Sequence, residues 1–147
     1  MHSKDLMGLR ILVVDDEADA RDLLACLLES AGATVYLADA AATALAILAS
    51  HTTDVMVSDI GMPDEDGYSL MRNVRSLPHE DKRTIPAIAL TAFTRDVDRQ
   101  CALTAGFDVH LGKPLQPPML VRALRELMHA RAAGAQSEPR KSSRDSS

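Results

Sequence analysis

Aromatic side chains are nearly missing from this sequence: two Tyr, two Phe and no Trp make up 3% of its 147 residues. A chain so poor in rings offers no stacking platform for single-stranded nucleic acid. Basic charge is short as well. The 16 Lys and Arg are outnumbered by 21 Asp and Glu, giving a formal net charge of −5. That balance argues against a polyanionic partner, because phosphate backbones are held by clustered cations, and it suits a divalent cation better. No apolar run reaches the roughly 18 residues that suggest a membrane span, and no charged, apolar and small segments open the chain as a signal peptide would. The two cysteines, Cys26 and Cys101, lie far apart, with no Cys or His near either at metal spacing. They read as reduced packing residues of a cytoplasmic protein, with a disulfide or a reactive thiol as the alternative. The histidines, at positions 2, 51, 79, 110 and 129, are too scattered for a zinc site.

What the sequence does have is an alternation. Hydrophobic residues make up 46%, ordinary for a globular fold, and the length suits one domain with one core. The apolar runs Ile11–Val14, Val35–Ala38, Val55–Val57, Ala87–Leu90 and Val109–Leu111 have the length of strands. Between and after them, Ala18–Ala31, Ala40–Ser50, Gly67–Ser76, Arg95–Ala105 and Pro118–Ala130 read as helices. Leu23, Leu24, Leu27 and Leu28 form an apolar stripe on the first, and Leu120, Ala123, Leu124 and Leu127 on the last. Gly32 and Gly106 follow the first and fourth helices, Pro78 closes the third, and Pro117–Pro118 opens the last. Five strands alternating with five helices imply right-handed crossovers and a doubly wound α/β fold, a parallel sheet covered on both faces. Periodicity leaves the strand order open.

The segment Pro78–Thr84 reads as a charged, solvated loop. Residues 1–8 form an N-terminal extension, 9–131 the domain, and 132–147 a tail rich in Ser, Ala and charge that reads as disordered. Arg140, Lys141 and Arg144 in that tail are either a small basic docking patch or a solvated chain end.

Three carboxylates directly follow apolar strands: Asp15 and Asp16 after the first, Asp59 after the third. Open parallel sheets bind ligands at the carboxyl ends of their strands, where the strand order reverses. With the first and third strands as neighbours, the three converge. Like charges so close raise at least one pKa, and a hard cation with oxygen ligands relieves them; Mg²⁺ takes one or two carboxylates, waters and a substrate phosphate. Taken singly each Asp could cap a helix. Lys113, after the fifth strand and before Pro114, adds a point charge to the same rim, and Thr91, after the fourth strand, a hydroxyl donor. Four of five strands thus deliver a polar group to one rim, which capping does not explain.

The stretches Ile11-Leu-Val-Val-Asp-Asp-Glu17, Ser58-Asp-Ile-Gly-Met-Pro-Asp-Glu-Asp-Gly67, Ala89-Leu-Thr-Ala92 and Leu111-Gly-Lys-Pro114 resemble the response-regulator receiver family in order, spacing and position. The resemblance spans residues from about 9 to 130. It implies a flavodoxin-like sheet in the order 2-1-3-4-5, with Asp59 as the phosphoacceptor. By the same resemblance, Asp16, Asp59 and the Gly61 backbone carbonyl ligate Mg²⁺, and Asp15 acts mostly through a bound water. Thr91 and Ala92 bind the phosphoryl group, with which Lys113 pairs. The implied partner is a histidine kinase or histidine phosphotransfer domain, with no contact to nucleic acid or membrane, as a monomer or weak dimer in the cytoplasm. No enzyme activity beyond self-dephosphorylation is implied. The output surface would be the fourth helix, fifth strand and fifth helix.

One position departs from the family. Where receivers carry Tyr or Phe on the fifth strand, this chain has His110, either a switch that adds a titratable group near neutral pH or a strand histidine with no signalling part. Phe93 and Gly61 occupy positions that in this family influence phosphoryl lifetime, with Phe93 more often a simple loop anchor. Met62-Pro63 and Asp66-Gly67 shape the loop after Asp59, with Gly67 supplying φ > 0 or simply starting a helix. Rival readings fare worse. A haloacid-dehalogenase-type phosphohydrolase wants Asp-x-Asp where this chain has Asp15-Asp16-Glu17. A P-loop fails because no Gly stands five residues before Gly112. A degenerate receiver used only as a binding module would lack some of the acidic positions, Thr91 or Lys113. The wording of the motifs is most like the C-terminal receiver of a hybrid sensor histidine kinase, with a stand-alone regulator as the alternative.

Overall fold

The computed structural model describes residues 5–62, 65–92 and 95–137, for 133–137 the backbone only. Strands β1 (Arg10–Val14), β2 (Thr34–Ala38), β3 (Val55–Asp59), β4 (Ala87–Thr91) and β5 (Val109–Gly112) form one parallel sheet in the order β2-β1-β3-β4-β5. The strand order reverses at β1 and β3, and this is where the carboxylates were expected to meet. Alternation along β1 decides the layering. Ile11 and Val13 face a cluster with Leu24 and Leu28 of helix α1 (Ala18–Ser30) and Leu120 and Leu124 of helix α6 (Pro117–Ser137). Leu12 and Val14 face the opposite cluster, built on α2 (Ala41–Ser50), α3 (Gly67–Val74) and α5 (Asp96–Ala105). Both faces of the central strands β1, β3 and β4 are therefore dry, which is why these strands read as continuous apolar runs.

Several boundaries differ from the sequence reading. There are six helices among the described residues, not five: Pro78–Thr84, read as a loop, contains a single turn, α4 (Glu80–Arg83). Glu80 and Asp81 in its first turn and Lys82 and Arg83 in its last complement the helix dipole, and so short a turn leaves no periodicity to detect. Helix α3 ends at Val74, before Pro78, and its C-cap Arg75 turns inward. Helix α6 continues to Ser137, past Ala130 and into the tail expected to be disordered from 132, because its Ala-rich extension favours helix intrinsically. Arg140, Lys141 and Arg144 lie outside the described residues.

Residues 5–8 are part of the domain rather than an extension. Leu6 is 3% exposed within the α1–α6 cluster, its N–H donates to the Ala31 carbonyl at 2.9 Å, and Asp5 approaches Arg125 at 4.0 Å. A lone leucine in a polar leader carries no pattern, so it went unread. Gly32, at φ 103°, lets the chain end α1 with Met7 packed against its α-carbon. Both cysteines are free, and both are exposed rather than packed. Cys26 lies between the buried Leu24 and Leu28, on the solvent side of α1.

Candidate metal and phosphoryl site

Asp59 is the last residue of β3 and only 7% exposed. Its backbone is held on every side. The Ser58 hydroxyl donates to the Asp59 carbonyl at 2.9 Å, the Ile60 N–H donates to Leu90 at 3.0 Å, and the Gly67 N–H closes the following loop onto the Ile60 carbonyl at 2.9 Å. Gly67 does start α3, but it does not have positive φ. What it supplies is room: a β-carbon there would lie 2.6 Å from the Asp59 carbonyl oxygen. Asp66 caps α3 by accepting from the Ser69 N–H at 2.9 Å.

The β1–α1 turn brings the other two carboxylates. Asp15 is 1% exposed, its N–H continues the ladder to Ala38 at 3.1 Å, and its Oδ1 accepts from the Glu17 N–H at 2.9 Å. Asp16, next to it, is exposed. One ligand oxygen each from Asp15, Asp16 and Asp59 lie within 4.8 Å of one another, the candidate metal-binding group among the described residues. Three carboxylate oxygens at this spacing are a hard donor set, of the kind that holds Mg²⁺ through a few protein ligands and leaves room for water and phosphate. The residues present fit that ion.

Lys113 closes the rim. Its Nζ donates to Asp59 Oδ1 at 3.1 Å and lies 3.9 Å from Asp15 Oδ2, and its backbone N–H is fixed to the Thr91 carbonyl at 2.9 Å. Burial pushes the ammonium's pKa down, but the hydrogen bond to Asp59 and the nearby carboxylates of Asp59, Asp15 and Glu17 outweigh it and hold the value above that of an ordinary lysine. Asp15 moves upward too. Burial is the main cause, with the Glu17 N–H opposing it, Asp59 and Asp16 adding repulsion and Lys113 relieving part of it. A carboxyl raised in this way costs the fold stability as pH climbs through its titration, a cost that a bound cation offsets.

Thr91 ends β4 beside Gly112 and is 2% exposed; Ala92 follows it, exposed. Gly61 lies in the exposed loop two residues past Asp59. His110 pairs in register with Ala89, on the sheet face covered by α3 and α5, and its buried Nε2 has no hydrogen-bond partner among the described residues. Phe93 and Pro63 lie outside the described residues. The residues predicted for the site thus gather at the carboxyl edge of β1, β3, β4 and β5. Two contributors went unrecognised: Ser58, and Arg21, whose Nη1 donates to the Asp15 carbonyl at 2.8 Å. The one available signal for Arg21 was its position, six residues past Asp15 and just inside α1.

Both the sequence and the fold have relatives among known proteins. Over 121 residues, 82% of the chain, the sequence is 46% identical to an uncharacterized 14.6 kDa protein of Leptolyngbya boryana, covering 91% of it. It is 36% identical over 121 residues to the transcriptional regulatory protein GltR of Pseudomonas aeruginosa, and there the match spans 49% of the longer protein. Among solved structures it resembles the signal receiver domain of a signal transduction histidine kinase from Syntrophus aciditrophicus, 30% identical with a TM-score of 0.75, covering 84% of this chain and 92% of that one. No helix among the described residues is long and apolar enough to cross a membrane. With residues 11–125 matching the response regulator receiver domain, the chain belongs to that family.

Proposed function

We propose that this chain accepts a phosphoryl group on the Asp59 carboxylate from the phosphohistidine of a histidine kinase or phosphotransfer domain, and changes conformation to control a partner. The observation that carries this reading is the meeting of Asp15, Asp16 and Asp59 within 4.8 Å, with Lys113 bonded to Asp59 at 3.1 Å. Asp15, Asp16 and Asp59, with the Gly61 carbonyl, would hold Mg²⁺, which when bound neutralises charge on the phosphoryl oxygens. An Asp59 carboxylate oxygen attacks phosphorus in line, the P–N bond of the donor breaks, and the imidazole leaves with the electron pair and takes up a proton. Lys113, already at the acceptor, transfers its hydrogen bond to a phosphoryl oxygen, and the Thr91 hydroxyl and the Ala92 segment bind the others. Hydrolysis is the same displacement with water attacking the acyl phosphate, so the chain acts as a phosphoacceptor with self-dephosphorylation.

Acetyl phosphate tests the chemistry without a kinase. Intact mass should rise by one phosphoryl group at Asp59 in Mg²⁺ and stay unchanged in chelator. An unmodified chain in Mg²⁺, with beryllofluoride also failing to bind, would reduce it to a binding module; turnover of small phosphate esters would make it a phosphatase.

His110 is the switch residue in this reading, supported by its buried Nε2, unpaired among the described residues, beside the strand that ends in Thr91. A buried polar atom left unsatisfied favours a second arrangement that pairs it. His110→Ala should lose the phosphoryl-dependent spectral shifts of β5 while still taking the label; shifts equal to wild type would remove it from the switch. A hybrid kinase remains the proposed parent, supported by the motif wording and the Syntrophus receiver. The relative matched over 91% of its length favours a stand-alone regulator, and the coding region upstream of Met1 separates the two. The cytoplasm is the compartment in which an ATP-dependent kinase supplies phosphohistidine, and neither nucleic acid nor membrane contact is part of the proposal. A monomer or weak dimer suffices for it.

A further inference from the structure

We infer that Arg21 is a positioning residue for the cation site, holding the β1–α1 turn so that Asp15 and Asp16 present their carboxylates to the same point as Asp59. The inference rests on the rim being a cation site. Asp15 is where the chain leaves the sheet: its N–H still bonds to Ala38 at 3.1 Å, but its carbonyl has passed the end of β1, and α1 begins only at Ala18. Among the described residues, neither strand nor helix offers that carbonyl a donor. Arg21 does, reaching back with Nη1 at 2.8 Å, while its own N–H donates to the Glu17 carbonyl at 3.0 Å. Glu17, at the N-cap of α1, makes no side-chain capping bond, so the helix start has no cap of its own to fix the turn. The Glu17 N–H on Asp15 Oδ1 at 2.9 Å then fixes the carboxylate relative to the backbone that Arg21 has fixed. Asp16 is exposed within this loop and takes its direction from the backbone held at Asp15.

Charge and positioning make opposite predictions for Arg21, which is what makes the inference testable. A guanidinium acting only through space beside a site for a divalent cation repels the ion, so removing it would tighten binding. A guanidinium that holds a ligand in place does the reverse, and removing a partner of this kind costs about tenfold or more in metal affinity.

The experiment is calorimetric titration of the full chain with MgCl₂, with melting in chelator measured alongside. Arg21→Met should bind Mg²⁺ about tenfold more weakly, with its chelator melting temperature close to wild type. Arg21→Gln, too short to reach the Asp15 carbonyl, should weaken binding equally, and it replaces the Met variant should that one not fold. Arg21→Lys, which keeps a donor on a long stem, should recover most of the affinity. A folded Met or Gln variant that binds within about twofold of wild type, or more tightly, overturns the inference. Asp16→Ala separates the two levels of the argument. If wild type itself shows no Mg²⁺ uptake, or Asp16→Ala binds as well as wild type, the cation site is what fails; if Asp16→Ala loses binding and the Arg21 variants do not, only the role of Arg21 fails.

Discussion

Asp59→Asn takes up no phosphoryl group from acetyl phosphate at any Mg²⁺ concentration, and in chelator it melts at a higher temperature than wild type. The first half follows from the nucleophile. A neutral amide has no carboxylate oxygen to form the acyl phosphate, and neither Asp15 nor Asp16 replaces it: Asp15 Oδ1 is bonded to the Glu17 N–H, and Asp16 is exposed at the turn. The loss is complete rather than partial, since attack by the carboxylate is the step itself. The second half follows from charge. Three carboxylates share this rim with one lysine within ion-pair distance, and repulsion from Asp59 is among the causes that raise the Asp15 carboxyl. An amide keeps an acceptor for Lys113 and removes one negative charge, so the folded chain at neutral pH is relieved of part of the cost of ionising Asp15. Wild type gains stability on adding Mg²⁺ by linkage; Asp59→Asn should gain less. Mass spectrometry and thermal melts in chelator and in Mg²⁺ check both halves. A labelled Asp59→Asn places the acceptor elsewhere, and a lower melting temperature in chelator means the Lys113 pairing outweighs the repulsion.

The parts of this structure that the sequence exposed are those with a repeating physical cause. A sheet buried on both faces makes each strand a continuous apolar run, as in Ile11–Val14, and a strand end facing a ligand makes the next residue polar, as at Asp15 and Thr91. The strand order came from family likeness, since all five runs are apolar in the same way and nothing in them says which neighbour each one takes. The structure adds what depends on contacts between distant segments. Leu6 belongs to the core because the Ala31 carbonyl accepts from its N–H and the Gly32 carbonyl accepts from the N–H of Gly8, not because residues 5–8 have a pattern. Gly67 starts a helix, one of the two roles its sequence position allows, yet its requirement is clearance from the Asp59 carbonyl, which only the packed loop imposes. Arg21 is one charge among several on α1, and only the direction of its guanidinium sets it apart. Long flexible cations can point outward or inward at the same helical position, and composition does not choose between them.

Arg75 is the strongest instance of such a cation, and replacing it should cost as much as truncating a buried core side chain. It follows α3 and sends its guanidinium, only partly exposed, between three carbonyls that no strand or helix among the described residues satisfies. Nε and Nη2 donate to Gly106 at 3.0 and 2.6 Å, and Nη1 donates to Arg83 at 2.9 Å and Ile85 at 2.6 Å. Nη2 also approaches Asp108 at 3.3 Å, and Asp108 in turn accepts from the Ala87 N–H at 2.8 Å. One side chain thus ties the end of α3 to the turn before β4 and to the C-cap of α5. Burial lowers the guanidinium's pKa, and Asp108 offsets part of that, yet an arginine at neutral pH stays charged. Arg75→Met fills much of the same space and leaves three carbonyls without their donor. With part of that surface open to water, the expected cost is about 3 kcal/mol, or a fall in Tm of roughly 10 °C for a chain of this length. Arg75→Lys should recover little, because an ammonium on a single stem cannot reach carbonyls on three sides. Arg72→Ala, one turn earlier on the exposed face of α3, should change stability by less than about 0.5 kcal/mol. Urea unfolding of the three variants in chelator gives the comparison directly. If Arg75→Met and Arg72→Ala unfold at the same urea concentration, water satisfies those carbonyls as well as the guanidinium does, and the junction of α3, β4 and α5 is held by its apolar contacts alone.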